Sequence, residues 1–355
     1  MTPENVPSRN GLMMVNLRDV ARLAGVSAAT ASRALAQPQM VSPARRADVE
    51  RAAAALGYRH PNAAPEPGSW RSLGLVVPDM ENPFFASIAK AVQRRARAAG
   101  LAVLVADTED DASLEAEPIA QMRSLVDGII LCSPRMPDGA LAELTGGPEV
   151  LLVNRRSEHL RSVVIDNRDG VRQALAHLHA LGHRHVAYAG GPRVSWSDAE
   201  RRGGLEPDYH GIPDVRTTSL GHFPPTFSGG VAAADLLLAS GATAVLAHND
   251  LVAFGLLERL RARGVDVPGE LSVVGFDDVP SASFVSPALT TVAVPLDRLG
   301  RAAVDLLLDP DAVVESVEPQ GAETTPPSRL LPVSLVVRGS SGPARAVAPS
   351  ATATA

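Results

Sequence analysis

The chain has 355 residues, 45% of them hydrophobic and 20% charged, with a formal net charge of −6; this is enough apolar material for two to three domains of roughly 150 residues and excludes a chain disordered throughout. No run approaches the ~18 uninterrupted apolar residues of a membrane helix, and the polar, proline-containing start Met1–Asn10 is no secretion signal, so a soluble, cytoplasmic protein without a membrane partner is expected. The single cysteine, Cys132, excludes a disulfide framework and any thiolate zinc site, zinc fingers included.

Residues 1–62 carry eight arginines against four carboxylates, a net of +4, while the remainder has 25 basic against 35 acidic side chains, a net of −10. A basic head on an acidic body fits a head that meets nucleic acid. Asn16 precedes the helical run Leu17–Ala24 with Asp19 at its third position, a capping-box arrangement, and Gly25 ends it. Ser27 caps a second helix through Leu35; Ser42-Pro43 opens a third through Arg45–Leu56 that stops at Gly57. Val20, Ala21, Leu23, Ala24, Val26, Ala31, Ala34, Leu35, Val49, Ala53 and Leu56 supply a miniature core. The tight helix, Gly25-Val26 turn, helix join is a helix-turn-helix signature, and its second helix is expected in the major groove.

Beyond the head, short apolar runs alternate with helical stretches. Residues 73–77, 102–106, 128–131 and 150–153 alternate with helices near 83–99, 112–125 and 138–145; residues 185–189, 244–247 and 272–276 alternate with helices near 168–181, 228–239 and 250–263. Such runs, buried on both faces, point to parallel α/β sheets in two lobes with a cleft at the carboxyl ends of their strands. A polyol in that cleft needs flat apolar faces together with amide, carboxylate and guanidinium groups. Phe84 and Phe85, Asn154 and Arg155 after one strand, Arg201 at a helix start, Asn249 after another strand and Asp277 after a third supply both kinds. Phe223 is expected to close the pocket. Catalysis finds no support: Asp277 and Asp278, adjacent on an extended segment, point to opposite faces, and no phosphate loop occurs. No cofactor or metal is expected, since the histidines at 177, 179, 183 and 185 lack an accompanying carboxylate arrangement. Cys132, at the end of a buried run, is expected to be inert.

The segment Leu17-Arg18-Asp19-Val20-Ala21-Arg22-Leu23-Ala24-Gly25-Val26-Ser27-Ala28-Ala29-Thr30-Ala31-Ser32-Arg33-Ala34-Leu35, followed by Val41-Ser42, Leu56-Gly57-Tyr58 and Pro61-Asn62, closely resembles the DNA-binding head of the lac repressor (LacI/GalR) family. The resemblance implies that Ala28, Ala29 and Arg33 read bases, that Ser27, Thr30 and Ser32 hold phosphates, and that Asn16, Tyr58 and Asn62 belong to the same DNA-binding surface. Arg33 can bond guanine in a bidentate way, whereas the alanines touch a thymine methyl or leave room. Asn82-Pro83-Phe84-Phe85, Val153-Asn154-Arg155, Ile165-Asp166-Asn167, Asn249-Asp250, Val273–Asp278 and Pro287–Val292 resemble, in order, the family's effector-binding body, which is similar to periplasmic sugar-binding proteins. By that resemblance Asn82, Phe84, Phe85, Arg155, Arg201, Asn249 and Asp277 line the effector pocket, and the chain crosses between lobes near 164–166, 289–295 and 310–328.

The expected architecture is a three-helix helix-turn-helix head (14–62), a linker (63–71), a periplasmic-binding-protein-like α/β body of two lobes (72–341) and a disordered tail (342–355). The first lobe takes about 72–164 and 292–310, the second about 165–291 and 328–341. Two departures from the family stand out. The linker holds Pro65, Pro67 and Gly68 and no leucine before Leu73, which disfavours the usual DNA-wedging hinge helix. The stretch after Arg201–Gly204 is too rich in Pro and Gly for several helical turns. The Pro/Ala/Ser/Thr-rich tail lacks leucine heptads, so a homodimer on a pseudo-palindromic operator is expected rather than a tetramer. The function implied is a transcriptional regulator, a repressor, whose operator affinity a sugar or other small metabolite controls. The alternatives are a ligand sensor that has lost specific DNA binding and a solute-binding protein; salt-dependent, sequence-specific DNA binding separates them. Arginine and carboxylate in one cleft leave a neutral sugar, a sugar phosphate and a purine all open.

Overall fold

The structure, a computed structural model, describes residues 16–36, 40–56, 58, 71–312 and 328–345. Asn62, the linker through residue 70 and the tail from 346 onward lie outside them.

In the head, the Asn16 side chain accepts the Arg18 and Asp19 N–H groups while Asp19 accepts the Asn16 N–H, which starts α1 (Leu17–Leu23) where the capping pattern demands. Gly25, at φ +66°, makes the left-handed turn that a Cβ would strain. Ser27 then opens α2 (Ala28–Ala36) by accepting the Thr30 N–H at 3.1 Å. With α3 (Pro43–Leu56) these helices bury Val20, Ala21, Ala31, Ala34, Val49, Ala52 and Ala53 against one another.

The body begins with β1 (Ser72–Val77), α4 (Pro83–Ala98), β2 (Ala102–Asp107), α5 (Ala116–Met122), β3 (Gly128–Cys132), α6 (Asp138–Ala142), β4 (Glu149–Val153) and β5 (Ser162–Ile165). The chain crosses to a second lobe for α7 (Asn167–Ala180), β6 (His185–Gly190), α8 (Trp196–Gly204), α9 (Pro207–His210), β7 (Arg216–His222), α10 (Phe227–Ser240), β8 (Ala244–Ala247), α11 (Asp250–Ala262), β9 (Ser272–Asp277) and β10 (Thr290–Ala293). It returns for α12 (Leu296–Leu308) and β11 (Ser328–Leu331), then crosses again to β12 (Ser334–Val336). Each lobe holds a six-stranded sheet, ordered β11-β5-β4-β3-β1-β2 and β12-β10-β9-β8-β6-β7, parallel throughout except for β12.

Several boundaries differ from expectation. β10 continues the second sheet beside β9, so the return to the first lobe follows Ala293. β11, expected in the second lobe, extends the first sheet beside β5, where Ser162 and Ser328 share a 2.9 Å hydroxyl bond. The third crossing therefore lies between Leu331 and Ser334 and not within 310–328. The tail starts later than residue 342: Gly342 donates its N–H to Ser272 Oγ, its carbonyl accepts from that hydroxyl, and the Ala344 N–H donates to the Leu181 carbonyl.

α10 and α11 approach most closely through Gly230 and Gly255. A Cβ on Gly255 would stand 2.0 Å from the Phe227 carbonyl oxygen, and one on Gly230 equally close to that of Val252. Gly255→Ala is expected to destabilise the body by about 1–3 kcal/mol despite alanine's better helix propensity. Urea unfolding should show a lower midpoint at constant m-value; an unchanged midpoint would mean that the two helices separate without cost.

Candidate functional site

Helix starts converge where the strands of both sheets end, because each apolar run is followed by a capping residue that begins the next helix. Asn82 accepts the Phe84 N–H at 3.0 Å to start α4, Ser195 accepts the Asp198 N–H at 3.3 Å to start α8, and Asn249 accepts the Val252 N–H at 2.9 Å to start α11. Between the lobes lies a narrow, partly open cavity, the kind of concave cleft between domains that small ligands occupy. Asn82, Phe84, Phe85, Asn154, Arg201, Asn249 and Asp277 line it together with Ser133, Arg135, Ser197, Pro225 and His248. Ser133 (φ 46°), Asn154 (φ 57°) and Asp277 (φ 121°) hold left-handed backbone at strand ends, a strain of order 1–3 kcal/mol each that gathers at functional sites.

Arg201 sits in the last turn of α8, not at a helix start. Its Nε donates to Asn167 Oδ1 at 2.9 Å, Nη1 donates to the His248 carbonyl, and Nη2 lies 3.7 Å from Asp277 Oδ1. The guanidinium stacks on Phe276 at 3.6 Å from the ring centroid. Burial pushes the Asp277 carboxyl well above the usual carboxylate range, the Arg201 cation opposes this, and neighbouring Asp250 adds to it. Asp250 does not face the cleft. It is fully buried, accepting from Thr291 Oγ1 at 2.6 Å and from the Val279 N–H at 2.9 Å, and burial pushes it up to about 7.

Asn154 donates to Ser133 Oγ at 3.0 Å, while its Oδ1 is buried without a hydrogen-bond donor. Asn249 donates to the Pro225 carbonyl at 2.9 Å. Phe84 and Phe85 pack edge to face, centroids 5.0 Å apart, and belong to the core as well as to the cleft.

Two expected residues are elsewhere. Arg155 turns into the first lobe, donating to the Pro134 and Met136 carbonyls and to Asp138; it satisfies loop carbonyls that have no strand partner. Phe223 packs against the second lobe's core, its N–H donating to the Gly190 carbonyl at 3.0 Å, which ties it to the end of β6. Ser133, Arg135 and His248 were missed although they follow β3 and β8 as Asn154 follows β4; applying the strand-end rule to every strand would have found them.

His248 faces Asp198 at 3.3 Å, and Asp198 also accepts from the Tyr188 hydroxyl, the Gly191 N–H and Arg202. Burial pushes the His248 imidazole down to about 4, against the pull of Asp198. The ring is thus neutral in the fold where an unfolded histidine, with its ordinary value of 6.5, is charged. Its contribution to stability is complete above pH 6.5 and shrinks as pH falls towards 4. Wild type should therefore lose more stability between pH 7 and pH 5 than His248→Gln does, by urea titration at both pH values; parallel losses would refute the assignment.

His183, His185 and Cys132 are engaged or buried within the fold. His183 bonds the Thr243 and Ser272 hydroxyls and the Gly342 carbonyl, and His185 bonds Thr218. Burial pushes the Cys132 thiol up to about 12.

On the head, Ala28, Ala29 and Arg33 are exposed along α2. Arg22, Arg46 and Arg51 pair with Asp19, Glu50 and Asp48, whereas Arg33 has no carboxylate partner among the described residues. Ser27 and Thr30 share a 2.9 Å hydroxyl bond at the start of α2, Ser32 is half-buried, and Tyr58 packs against the head's core.

Residues 16–62 match the family described as bacterial regulatory proteins, lacI family, and residues 175–341 match the periplasmic binding protein-like domain. The chain is 32% identical over 346 residues to the HTH-type transcriptional repressor CytR of Escherichia coli (strain K12), spanning 91% of this chain and 95% of that protein. Its structure is similar, with a TM-score of 0.66 and 27% identity over 92% of this chain and 99% of the other, to the lac repressor dimer bound to operator and the anti-inducer ONPF. A LacI family transcriptional regulator from Enterococcus faecium with bound ribose superposes with a TM-score of 0.65 and 27% identity over 78% of this chain and all of that one. A lacI-type head followed by a periplasmic-binding-protein-like body runs in this order along the chain, and the chain belongs to the lacI family of bacterial transcriptional regulators.

Proposed function

We propose that the protein is a homodimeric repressor that reads a pseudo-palindromic operator with α2 and is switched by a small carbohydrate held between its lobes. The observation that carries this is the convergence of Asn82, Phe84, Phe85, Asn154, Arg201, Asn249 and Asp277 from both lobes on one cavity. A ligand that touches both lobes binds one lobe arrangement better than another, and on the order of 1–3 kcal/mol of such coupling shifts operator occupancy 5- to 150-fold. In the head, Arg33 is the base-reading cation, flanked by Ala28 and Ala29, while Ser27, Thr30 and Ser32 meet phosphates. Such a repressor works in the cytoplasm, with the DNA.

The same geometry speaks against catalysis. Asp278 is held by Arg338 at 2.6 Å while Asp277 faces the cavity, so the adjacent carboxylates do not serve one centre. Selection of genomic fragments by the purified full-length protein at near-physiological salt tests the proposal. One enriched palindromic motif is expected, with a sugar altering its occupancy; a dimer that enriches no motif would sink the repressor and leave ligand sensing.

A further inference from the structure

We infer that the cleft selects an uncharged, single-ring polyhydroxy ligand, a free monosaccharide, over its phosphate ester, with Arg135 donating to it and Asn154 Oδ1 and Asp277 accepting from it, an assignment that rests on the cleft being the effector site. Of the cations near the cavity, Arg201 and Arg155 are already committed and Arg135 is committed through one nitrogen. Arg201 donates Nε and Nη1 within the fold and sets Nη2 3.7 Å from Asp277, and the terminal nitrogens of Arg155 are spent on its own loop and Asp138. Arg135 donates Nε to Asp110 at 2.9 Å, and Glu115 behind it accepts the Arg135 and Met136 N–H groups at 2.5 and 2.8 Å. The guanidinium is thus held through Nε by one carboxylate, its backbone by another, while the residue lines the cavity.

Beside the donors of Arg135, the cavity leaves acceptors unfilled. Asn154, 4% exposed, has an Oδ1 with no donor, and the nearest cation to the Asp277 carboxylate is 3.7 Å away. Such atoms call for O–H or N–H groups. A phosphate group, which is rich in acceptors, brings Asp277 and Asn154 Oδ1 no donor of its own where a hydroxyl would. The aromatic area is too small for a nucleobase platform: Phe84 and Phe85 face each other edge to face and are only 3% and 6% exposed. That suits the limited apolar face of one sugar ring.

Titration calorimetry on the full-length protein with free pentoses and hexoses, their phosphate esters and nucleosides tests this. The best free sugar is expected to bind roughly a hundredfold or more tighter than its phosphate ester. Arg135→Gln and Asn154→Leu should each weaken it roughly 10- to 100-fold, with Arg135→Lys recovering part of the loss. A phosphate ester that binds as tightly overturns the charge selection, and a preferred nucleoside overturns the single-ring class; either leaves the cleft an effector site. Binding by none of the three sets overturns the effector reading itself, and this inference with it. Because the comparison of free sugar with ester uses wild-type protein, it stands whether or not the variants fold.

Discussion

Arg33→Ala is expected to erase sequence discrimination while leaving the fold intact. The side chain is exposed, has no carboxylate partner among the described residues and lies one helical turn beyond Ala29 on α2, whose opposite face buries Ala31 and Ala34. Truncation to alanine opens no cavity and suits the helix. A bidentate arginine–guanine pair contributes about 1–3 kcal/mol of discrimination, and a homodimer presents it twice. The loss on a selected operator should then be about 2–6 kcal/mol, roughly 30- to 20,000-fold, with non-specific affinity falling little because phosphate contacts dominate it. Anisotropy titration of the operator and a scrambled duplex at one salt concentration reads both. Equal weakening on the two duplexes would make Arg33 a phosphate contact, and no change on either would move the reading surface elsewhere.

The second large effect is expected at Arg201. Its guanidinium donates to Asn167 and the His248 carbonyl, stacks on Phe276 and is the cation opposite Asp277. Arg201→Ala strands all of these partners at once, and removing one member of a buried charge pair costs about 3–5 kcal/mol. Adding Asp277→Asn removes the orphaned charge and should return part of the loss. The pH dependence has a fixed sign: without the cation the Asp277 carboxyl, already raised by burial, rises further. A carboxyl whose folded value is raised loses stability as pH climbs, so Arg201→Ala should be closer to wild type at pH 5 than at pH 8. Urea unfolding of wild type, single and double variants at both pH values checks this. A single variant as stable as wild type would mean that the buried network carries no folding energy and that Arg201 serves the ligand alone.

The head was legible almost residue by residue, since caps and turns are local: Asn16, Asp19, Gly25 and Ser27 act on neighbours within three or four positions, and they start and stop the helices where they stand. The long apolar strands were equally plain, and so were Asn154, Asn249 and Asp277 in the cavity, because a polar residue at the end of a buried run has few places to go except the strand end. Sequence alone did not reveal the short or polar strands. β7 is an edge strand written Arg-Thr-Thr-Ser-Leu-Gly-His, and β11 has four residues whose sheet is decided by a partner 166 positions away. Nor did it settle which way a strand-end side chain turns. Asn154 faces the cavity and Arg155 its own lobe because the loop after β3 offers carbonyls that only Arg155 reaches. Arg135 enters the cleft because Asp110 and Glu115, distant in sequence, hold its loop in place. Composition and local spacing determined the elements and the family; long-range hydrogen bonding and burial, which no window of neighbouring residues contains, decided which charges are spent inside the lobes and which are left to a ligand.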